Sequence, residues 1–471
     1  MSRPRAARPT RVGMMSLGCA KNLVDSEVML GHLGAAGCEF VTDPGEAEVI
    51  VVNTCGFIEP AREESIRTIL EAAELKRTGR LRKLVVAGCL VQRYGDELRR
   101  SLPEVDVFVD LDQVPAIATL TGVGGPPPSD LPILPARSRA ARRRGPSATA
   151  AWTPATYLYD DATPRRLATP PWTAYVKIAE GCDHTCAFCA IPSFRGAFRS
   201  RTPESVGREA ADLARRGVRE INLVAQDSSH YGRDLGLSDG LAVLLERLDA
   251  VEDLAWIRVH YLYPNTLTDR VLDAMARSHR VVPYIDLPLQ HAHRDVLRRM
   301  RRGGSAEGHL RLLASVRAAM PDVSMRTTFL VGFPGETDAE FDALLAFLDE
   351  ARFDHVGVFP YSHEDGTPAY ALADDVPHDV KEERKARLLA RQQPIAFARN
   401  ADRVGQRVEV LVEGAHPETE HLLVGRTRGQ AREVDGHVLL NDGFAEPGRL
   451  VPVEITDVAG YDLVGTILGP S

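Results

Sequence analysis

A short stretch in the middle of the chain, residues 178–196, carries three of the seven cysteines of the 471-residue sequence. Cys182, Cys186 and Cys189 (the loop triad) form a C-x-x-x-C-x-x-C pattern directly after a strand-like apolar run. Three thiols on one short loop constrain the fold, because the loop must curl around whatever they bind. A structural zinc site needs four ligands, and no fourth cysteine follows nearby. His184 lies two residues from two of the cysteines and is badly placed to be the fourth ligand.

Three thiolates with one open position are typical of a 4Fe–4S cube in which one iron lacks a protein ligand. The open iron can chelate the amino and carboxylate groups of S-adenosylmethionine. With Phe188 directly before the last cysteine, the stretch resembles the signature of radical S-adenosylmethionine enzymes, and the resemblance implies that Phe188 belongs to the cofactor-binding loop. Zinc binding and ordinary packing are weaker alternatives for these thiols. The pattern therefore predicts an iron–sulfur cluster whose missing ligand is the cofactor.

The residues around this loop predict a partial barrel. Strand-like apolar runs alternate with amphipathic helical patterns between residues 172 and 375. Six strands are predicted, at residues 174–180, 220–226, 255–261, 282–289, 324–332 and 355–362. Six strand–helix units are too few for a complete eight-stranded barrel, so we expect an α/β barrel open on one side. The cysteine loop then lies at the carboxyl ends of the strands, where ligands bind.

Residues 10–120 predict a separate α/β domain with an open sheet, because short apolar runs alternate with helical patterns. Cys19, Cys55 and Cys89 (the sheet triad) each follow one of these runs beside a glycine. Ends of parallel strands converge on one crevice, and glycine permits close approach of the backbone to a bulky inorganic ligand. The sheet triad therefore predicts a second three-thiolate 4Fe–4S cluster. Cys38 lacks this placement and is expected to be a packing residue.

Two further segments complete the predicted organisation. Residues 121–168 are rich in Pro, Gly, Ser and Arg, which predicts a linker without a core. Residues 401–471 contain short β runs punctuated by turn residues, which predict a small antiparallel β barrel of the oligonucleotide-binding type. The central domain then spans residues 169–400.

Composition excludes several classes of protein. No run approaches about eighteen apolar residues, so we expect no membrane contact, and the basic start lacks the apolar run of a secretory signal. An odd number of cysteines in a long chain argues against a disulfide framework and for reduced, metal-binding thiols in the cytoplasm. A net charge of −8 argues against wholesale nucleic-acid binding.

Taken together, the two cysteine triads and the C-terminal barrel resemble the radical S-adenosylmethionine methylthiotransferases over almost the whole chain. The resemblance implies an N-terminal cluster domain, a radical domain and a TRAM-type barrel. It also implies two 4Fe–4S clusters, with S-adenosylmethionine serving as radical source and as methyl donor. The cluster on the sheet triad would carry the sulfur that is transferred. We further expect a monomer that receives electrons from a donor such as flavodoxin or ferredoxin.

Several stretches resemble the RimO-like branch of that family, which modifies an aspartate of small-subunit ribosomal protein twelve at its β-carbon. These stretches are residues 16–27, 177–201, 286–303 and 361–369. The MiaB-like branch modifies an isopentenyl-adenosine of transfer RNA. Its members have motifs resembling GCQMN and QSGS at the places where this chain has GCAKN and QHAH. A transfer-RNA enzyme is the alternative interpretation, and a non-catalytic metal-binding scaffold is a weaker one.

The charge of the C-terminal segment independently favours a protein substrate. Residues 401–471 contain twelve acids and six arginines, a net charge of −6. A barrel that grips RNA should be basic, whereas an acidic barrel suits a basic ribosomal protein. A generic acidic surface is the alternative. We expect Glu409, Glu413, Glu418 and Glu420 to contribute to the surface that meets this partner.

Polar side chains near the predicted strand ends are candidates for contacts with substrate or cofactor, and none is assigned a catalytic role. They are Gln226, His260, Gln290, His291, His293, Tyr361 and His363. Two histidines at positions 291 and 293 are weak evidence for a metal, because no carboxylate or cysteine accompanies them. A glycine-rich turn at residues 329–337 is similar to a segment near the cofactor in the same family.

Overall fold

A computed structural model describes residues 8–123 and 154–469, and these residues form two compact units. Unit 1 comprises the described residues up to Ala168 together with Ala190–Ala197 and Glu364–Gly366. Unit 2 comprises Thr169–Cys189, Phe198–His363 and the described residues from Thr367 onward. Strands and helices are numbered along the chain.

Unit 1 contains a five-stranded parallel sheet with the order β2-β1-β3-β4-β5. The strands are β1 (Arg11–Ser16), β2 (Glu39–Phe40), β3 (Val49–Thr54), β4 (Lys83–Gly88) and β5 (Val107–Val109). The central strands β3 and β4 are almost entirely buried, as continuous runs of Val, Ile and Leu require. The open α/β sheet predicted for this part of the chain is confirmed.

Helices connect these strands and place the cysteines. They are α1 (Ala20–Ala35), α2 (Glu59–Thr78), α3 (Cys89–Ser101) and α4 (Ile117–Thr121), with 3-10 turns at Pro44–Glu46 and Leu111–Ala116. Cys19 is the residue before α1, and Cys89 is the first residue of α3, directly after β4. Two of the three cysteines thus lie where a strand ends and a helix begins.

Part of the segment predicted to be a linker packs into unit 1. Residues 124–153 lie outside the described residues, whereas residues 154–168 include the buried Ala155 and Tyr159. The Ala155 N–H donates to the carbonyl of Phe194 at 2.9 Å, and Arg165 forms an ion pair with the buried Glu27. The composition of residues 121–168 did not predict this packing, because it depends on a few specific contacts rather than on apolar content.

Unit 2 contains the six predicted parallel strands. They are β6 (Thr173–Lys177), β9 (Glu220–Val224), β10 (Trp256–Val259), β11 (Tyr284–Asp286), β12 (Ser324–Val331) and β13 (His355–Pro360). They form two three-stranded sheets, β10-β9-β6 and β11-β12-β13, which a parallel bridge between Ile257 and Val281 joins. The short strands β7 (Ala179–Glu180) and β8 (Arg199–Ser200) pair antiparallel beside the cysteine loop. The partial α/β barrel is confirmed.

The remaining helices are α5 (Ile191–Arg195), α6 (Pro203–Arg215), α7 (Gly240–Asp249), α8 (Asp269–Arg277), α9 (Arg294–Arg299), α10 (Ala306–Ala319), α11 (Asp338–Ala351) and α12 (His378–Ala401). Of these, α5 belongs to unit 1. Thr337 and Glu340 form a reciprocal cap at the start of α11, which satisfies backbone N–H groups that lack helical partners. Among the described helices, none has the length and apolar character needed to cross a bilayer.

A closed barrel ends the chain, with the strand order β14-β15-β16-β18-β17. Its strands are β14 (Arg407–His416), β15 (Thr419–Thr427), β16 (Val438–Asp442), β17 (Leu450–Ala459) and β18 (Asp462–Ile467). The predicted β barrel is confirmed. The pairing of β16 with β18 is parallel, however, and β18 is a fifth strand that the sequence pattern did not predict.

The barrel packs within unit 2 through buried charges. Arg426 of β15 pairs with Glu220 of β9 at 2.6 Å, and both side chains are fully buried. The expectation that Glu413 contributes to an acidic partner surface is wrong, because its carboxylate pairs with Arg426 at 3.0 Å. Glu409 accepts a hydrogen bond from Trp256 at 3.2 Å, so its carboxylate is also engaged within the unit. Glu418 is exposed, and the side chain at position 420 lies outside the described part of the chain.

Candidate functional site

The sheet triad lies in unit 1 at the carboxyl ends of adjacent parallel strands. Cys19 follows β1, Cys55 follows β3 and Cys89 follows β4, and these three strands are neighbours in the sheet. The Ser65 hydroxyl fixes the Cys55 backbone, accepting from its N–H at 3.1 Å and donating to its carbonyl at 3.0 Å. The strand order thus brings together three thiols that are separated by 34 or more residues in the sequence.

Two glycines allow the three cysteine loops to approach each other. A Cβ atom on Gly18 would lie 2.8 Å from the Cys55 Cβ, and the backbone there has a φ of +86°. A Cβ atom on Gly56 would lie 2.8 Å from the Leu90 Cα and 3.1 Å from the carbonyl carbon of Cys89. Any larger residue at either position would push the loops apart. These two glycines therefore let the cysteine loops approach each other, and the close approach of the backbone to a bound cluster stays a prediction.

Asn22 links two of these loops from the first turn of α1. Its side-chain amide donates to the carbonyls of Leu17 at 2.7 Å and Thr54 at 3.3 Å, which precede the first and second thiols. Asn53 in turn donates to the Asn22 carbonyl and to the Ser26 hydroxyl, both at 2.8 Å. All three polar side chains are buried. This network fixes the loops before any ligand binds.

Arg195 is the charged neighbour of the sheet triad. Its Nη2 lies 2.9 Å from the Cys89 Sγ and 3.0 Å from an Asp25 carboxylate oxygen. Burial raises the pKa of the Cys89 thiol, and the charge of Arg195 opposes this effect. Burial likewise raises the pKa of Cys55 to about 12, and the charge of Cys89 adds to it. Buried thiols of this kind are stabilised as thiolates when they bind a metal.

Cys19 differs from its two companions because one side of it is exposed to solvent. Desolvation of its sulfur by the crowded surroundings would raise its pKa, but the charges of Lys21 and Arg195 and the backbone N–H groups of Asn22 and Lys21 together lower it. Cys38 lies past the far end of α1, about 24 Å along a helix of this length from Cys19. Three converging thiols beside a buried cation fit three corners of a 4Fe–4S cube, and Cys38 is outside this arrangement.

The loop triad lies in unit 2, directly after β7. The loop is pinned from two sides, because the Ala187 N–H donates to the Met300 carbonyl and the Ala369 N–H donates to the Ala187 carbonyl, both at 2.8 Å. Phe188 packs against an apolar cluster that includes Phe333 and Tyr361. The loop conformation is therefore set by backbone bonds and by one aromatic anchor.

Two polar side chains beside the loop triad, His184 and Arg302, have protein contacts of their own. The His184 Nε2 forms a hydrogen bond with an Asp227 carboxylate oxygen at 2.6 Å, and its ring stacks on Tyr263 with ring centroids 3.9 Å apart. Arg302 lies 3.4 Å from the Cys186 Sγ and over the Tyr263 ring. Burial raises the pKa of Cys182 to about 12, although the backbone N–H of His184 opposes it. Since His184 is engaged by a carboxylate, the donor set here is three thiols, which fits a cube with one open iron.

The candidate polar residues at the strand ends have various partners. The Gln226 amide donates to Glu180 at 2.7 Å, and His260 bonds the Asn222 side chain at 3.2 Å. The Tyr361 hydroxyl lies 3.2 Å from His363 Nδ1. Each of these side chains therefore has a protein partner near the carboxyl ends of the strands. Their contacts give none of them a catalytic role.

His291 and His293 do not form a metal pair. The His291 Nδ1 accepts the backbone N–H of His293 at 2.9 Å, and burial lowers the pKa of His291 to about 3. The His293 side chain caps α9 by accepting from the Asp295 N–H at 3.3 Å. Gln290 has a φ of +71° and bonds β12 through its backbone. These contacts shape the turn before α9, and His293 also has a carboxylate neighbour that the sequence did not predict, Glu340 at 3.5 Å.

The glycine-rich turn after β12 is organised by Glu336. Its carboxylate accepts the N–H groups of Gly332 at 2.7 Å and Phe333 at 3.2 Å. Burial raises the pKa of Glu336 to about 7, against the charge of Arg384 at 3.2 Å. A buried carboxylate thus fixes the turn that follows the carboxyl end of β12.

Sequence reasoning missed several residues around the sheet triad, chiefly Asn22, Asp25 and Arg195. A signal for the first two was present, because Asn22, Asp25 and Ser26 share one face of α1 at helical spacing. Three small polar residues on a buried face indicate a polar site rather than a core. Arg195 gave no comparable signal, since it lies 106 residues from Cys89.

Glu364 and Arg93 form a second buried network that sequence reasoning missed. Arg93 donates to the carbonyl of Gly56 at 2.9 Å and to Glu364 at 3.0 Å, and both charged side chains are buried. Glu364 also accepts the Glu59 N–H at 2.8 Å and pairs with Arg62. The network fixes the residues that directly follow Cys55. Glu364 lies in residues 361–369, one of the stretches on which the family resemblance rests.

Three family models match the chain. Residues 11–110 match the uncharacterized protein family UPF0004, residues 176–348 match the radical SAM superfamily, and residues 404–468 match the TRAM domain. The radical SAM match implies a 4Fe–4S cluster and S-adenosylmethionine as cofactors. Among solved structures, the radical S-adenosylmethionine methyltransferase TsrM of Kitasatospora setae is similar in fold. Its TM-score is 0.53 at 15% identity, and the similarity covers 77% of each chain.

Curated relatives match almost end to end. A protein of Solibacter usitatus (strain Ellin6076) is 49% identical over 98% of this chain and 95% of its own length. A protein of Anaeromyxobacter sp. (strain K) is 50% identical over 98% of this chain and 93% of its own length. Both are named ribosomal protein uS12 methylthiotransferase RimO. The chain therefore belongs to the RimO family of radical SAM methylthiotransferases.

Proposed function

We propose that this chain adds a methylthio group to the β-carbon of one aspartate of ribosomal protein uS12. The observation that carries the proposal is the identity of 49% and 50%, over nearly the whole chain, to proteins named for that reaction. The stretch of residues 16–27 supports it further, since it supplies Asn22 and Asp25 to the surroundings of the sheet triad. The transfer-RNA alternative becomes an outcome of the experiment below.

The two triads hold the metal in this proposal. The loop triad binds the 4Fe–4S cluster that receives S-adenosylmethionine, with Phe188 anchoring the loop beside it. The sheet triad binds a second 4Fe–4S cluster, to which the transferred sulfur is attached. Support comes from the donor sets: three thiols in each place, with His184 engaged elsewhere and Cys38 beyond the end of α1.

When bound, these groups supply an adenosyl radical, sulfur and a methyl group. The overall change breaks one C–H bond at the aspartate β-carbon and forms one C–S bond, with the hydrogen going to the adenosyl carbon. The methyl group comes from a second S-adenosylmethionine, and the electrons come from a donor such as flavodoxin or ferredoxin. The enzyme acts as a monomer in this scheme.

The chain's own residues prepare the two sites. Arg302 lies beside the Cys186 sulfur and Arg195 beside the Cys89 sulfur, so each triad has a cation that offsets thiolate charge. Gly18 and Gly56 keep the three cysteine loops of unit 1 close enough to share one cluster. The exposed side of Cys19 leaves that site accessible from solvent.

The test offers ribosomal protein uS12, whole ribosomes and transfer RNA in parallel to the anaerobically reconstituted enzyme. We expect a mass gain of one methylthio group on a single uS12 peptide, and none when the loop triad is replaced by alanine. A methylthio-adenosine in the transfer-RNA hydrolysate, with unmodified uS12, would overturn the proposal.

The acidic barrel surface is tested separately, with variants chosen by exposure. Glu418 and Glu446 are exposed, and neither takes part in the ion pairs described for Arg426. The double variant E418K/E446K therefore changes the surface charge of the barrel without breaking a described buried pair. The control D322K/E350K makes the same charge change at exposed sites on other elements of unit 2. We expect uS12 modification to slow at low salt only in the first variant. Equal rates in the two variants would exclude the barrel as the recruiting surface.

A further inference from the structure

Arg195 occupies an unusual position, which neither the family match nor the cysteine pattern explains. It ends α5, six residues after Cys189 in sequence, yet the segment Ala190–Ala197 belongs to unit 1. Ala190 and Phe194 of this segment pack against Cys89 in one buried cluster. The Phe194 carbonyl also accepts the Ala155 N–H at 2.9 Å. The segment is therefore built into the surroundings of the sheet triad.

The guanidinium of Arg195 has a defined orientation. It is 3% exposed, and a single nitrogen, Nη2, lies within 3.0 Å of both Asp25 and the Cys89 sulfur. An arginine remains charged in proteins, so burying one costs free energy unless an acid compensates it. Asp25 supplies that compensation and fixes the direction of the N–H groups. The Arg195–Asp25 pair therefore directs a positively charged N–H donor at the Cys89 sulfur.

Hydrogen bonds to cluster sulfurs and nearby charge both set the reduction potential of a 4Fe–4S cluster. Reduction adds negative charge, and a donor aimed at a ligand sulfur stabilises the reduced form more than the oxidised form. We propose that Arg195, oriented by Asp25, is a positioning residue that holds the Cys89 ligand of the second cluster and raises the reduction potential of that cluster. This inference rests on the second cluster proposed above.

The experiment isolates the second cluster in the full chain. Replacing the loop triad by alanine leaves only the sheet triad to bind iron, about four atoms per chain. In this background we compare Arg195 with R195Q and R195M by redox titration, followed by electron paramagnetic resonance, and measure iron content and thermal unfolding. The control is R165Q, which removes another buried, acid-paired arginine of unit 1 that has no described contact to a thiol.

We expect the midpoint potential to become more negative in R195Q and R195M, with R165Q unchanged. If both Arg195 variants lose iron while their unfolding curves match the background protein, the positioning role is also supported, because the Cys89 sulfur has then lost its partner. An unchanged potential overturns the inference. Loss of iron together with loss of the folded state in both variants assigns Arg195 a purely structural role and also overturns it.

The failure of the proposed function would look different. If the background protein with an intact Arg195 bound no iron, the second cluster itself would be wrong. If it bound iron and Arg195 variants left the potential unchanged, the cluster would stand and only the role of Arg195 would fall.

Discussion

Replacing Arg426 with methionine should strongly destabilise the packing of the C-terminal barrel within unit 2. Arg426 is fully buried and donates to Glu220 at 2.6 Å, to Glu413 at 3.0 Å and to the Gln430 carbonyl at 3.0 Å. Methionine keeps much of the volume but leaves Glu220 with Arg258 at 3.2 Å as its remaining cation, and Glu413 with Arg432 at 4.0 Å. Removing one partner of a buried ion pair costs about 3–5 kcal/mol, because the remaining charge is uncompensated.

Tryptophan emission during urea unfolding measures this cost. Trp256 and the partly buried Trp172 pack in one cluster with Leu411 and Ala431, so their emission follows the loss of this contact. With a urea slope of about 1–3 kcal/mol per molar, the midpoint should fall by about 1–5 M. The matched control is R407M on β14, since Arg407 is largely exposed and 3.7 Å from Glu454.

The R407M substitution should lower the free energy of unfolding by less than about 1 kcal/mol, because ion pairs on the surface contribute little. Equal midpoints for R426M and R407M would refute the reasoning. Such a result would mean that the buried carboxylates rearrange or take up protons at little cost when Arg426 is absent.

Four further predictions follow from the same contacts. Replacing the loop triad by alanine should halve the iron of the reconstituted protein from about eight atoms per chain, whereas C38A should leave it unchanged, as a colorimetric iron assay would reveal. With the sheet triad replaced instead, S-adenosylmethionine should still be cleaved to 5′-deoxyadenosine while methylthio product disappears, and normal product would exclude the second cluster. E364Q should lower the unfolding free energy of unit 1 by about 3 kcal/mol and speed hydrogen exchange after Cys55, because Arg93 and Arg62 lose their buried counter-charge. Burial would raise the pKa of Glu220, but Arg426 and Arg258 hold it at about 2. The stability that ionised Glu220 contributes is therefore present above its ordinary pKa and is lost as the pH falls from about 4.5 to 2. Circular dichroism should record a steeper loss of the folded state with acid in the native protein than in E220Q.

Local patterns were sufficient to predict most of the fold. The buried strands β3 and β4 were read from continuous apolar runs, and the six strands of unit 2 from their alternation with amphipathic helices. The parallel pairing of β16 with β18 was not predicted, because a period-two pattern gives which face of a strand is buried but not which strand lies beside it. The packing of residues 154–168 was missed for a similar reason: Arg165 is fixed by Glu27, 138 residues away.

The candidate site divides in the same way. The sheet triad could be proposed from sequence because each cysteine follows a strand, and strand ends in a parallel sheet share one edge. The glycines beside Cys19 and Cys55 were expected to admit a bulky ligand, whereas the contacts that the structure shows for them are between the cysteine loops. Arg195 could not be found, since nothing in its neighbourhood in sequence indicates that it lies beside the Cys89 sulfur. Its role depends on a segment that is adjacent to one triad in sequence and belongs to the unit of the other.

The charge of the barrel illustrates why net charge is a poor guide to a binding surface. The −6 balance of residues 401–471 counts Glu413 and Asp435 as though they faced solvent. Glu413 instead compensates the buried Arg426, and the side chain of Asp435 is fully buried, with its carboxylate 2.9 Å from Arg326. Part of the acidity of this segment is therefore internal charge compensation within unit 2, and it carries no information about a partner. Only exposed acids such as Glu418 can attract a basic ribosomal protein, which is why the surface test must be built on exposure and not on composition.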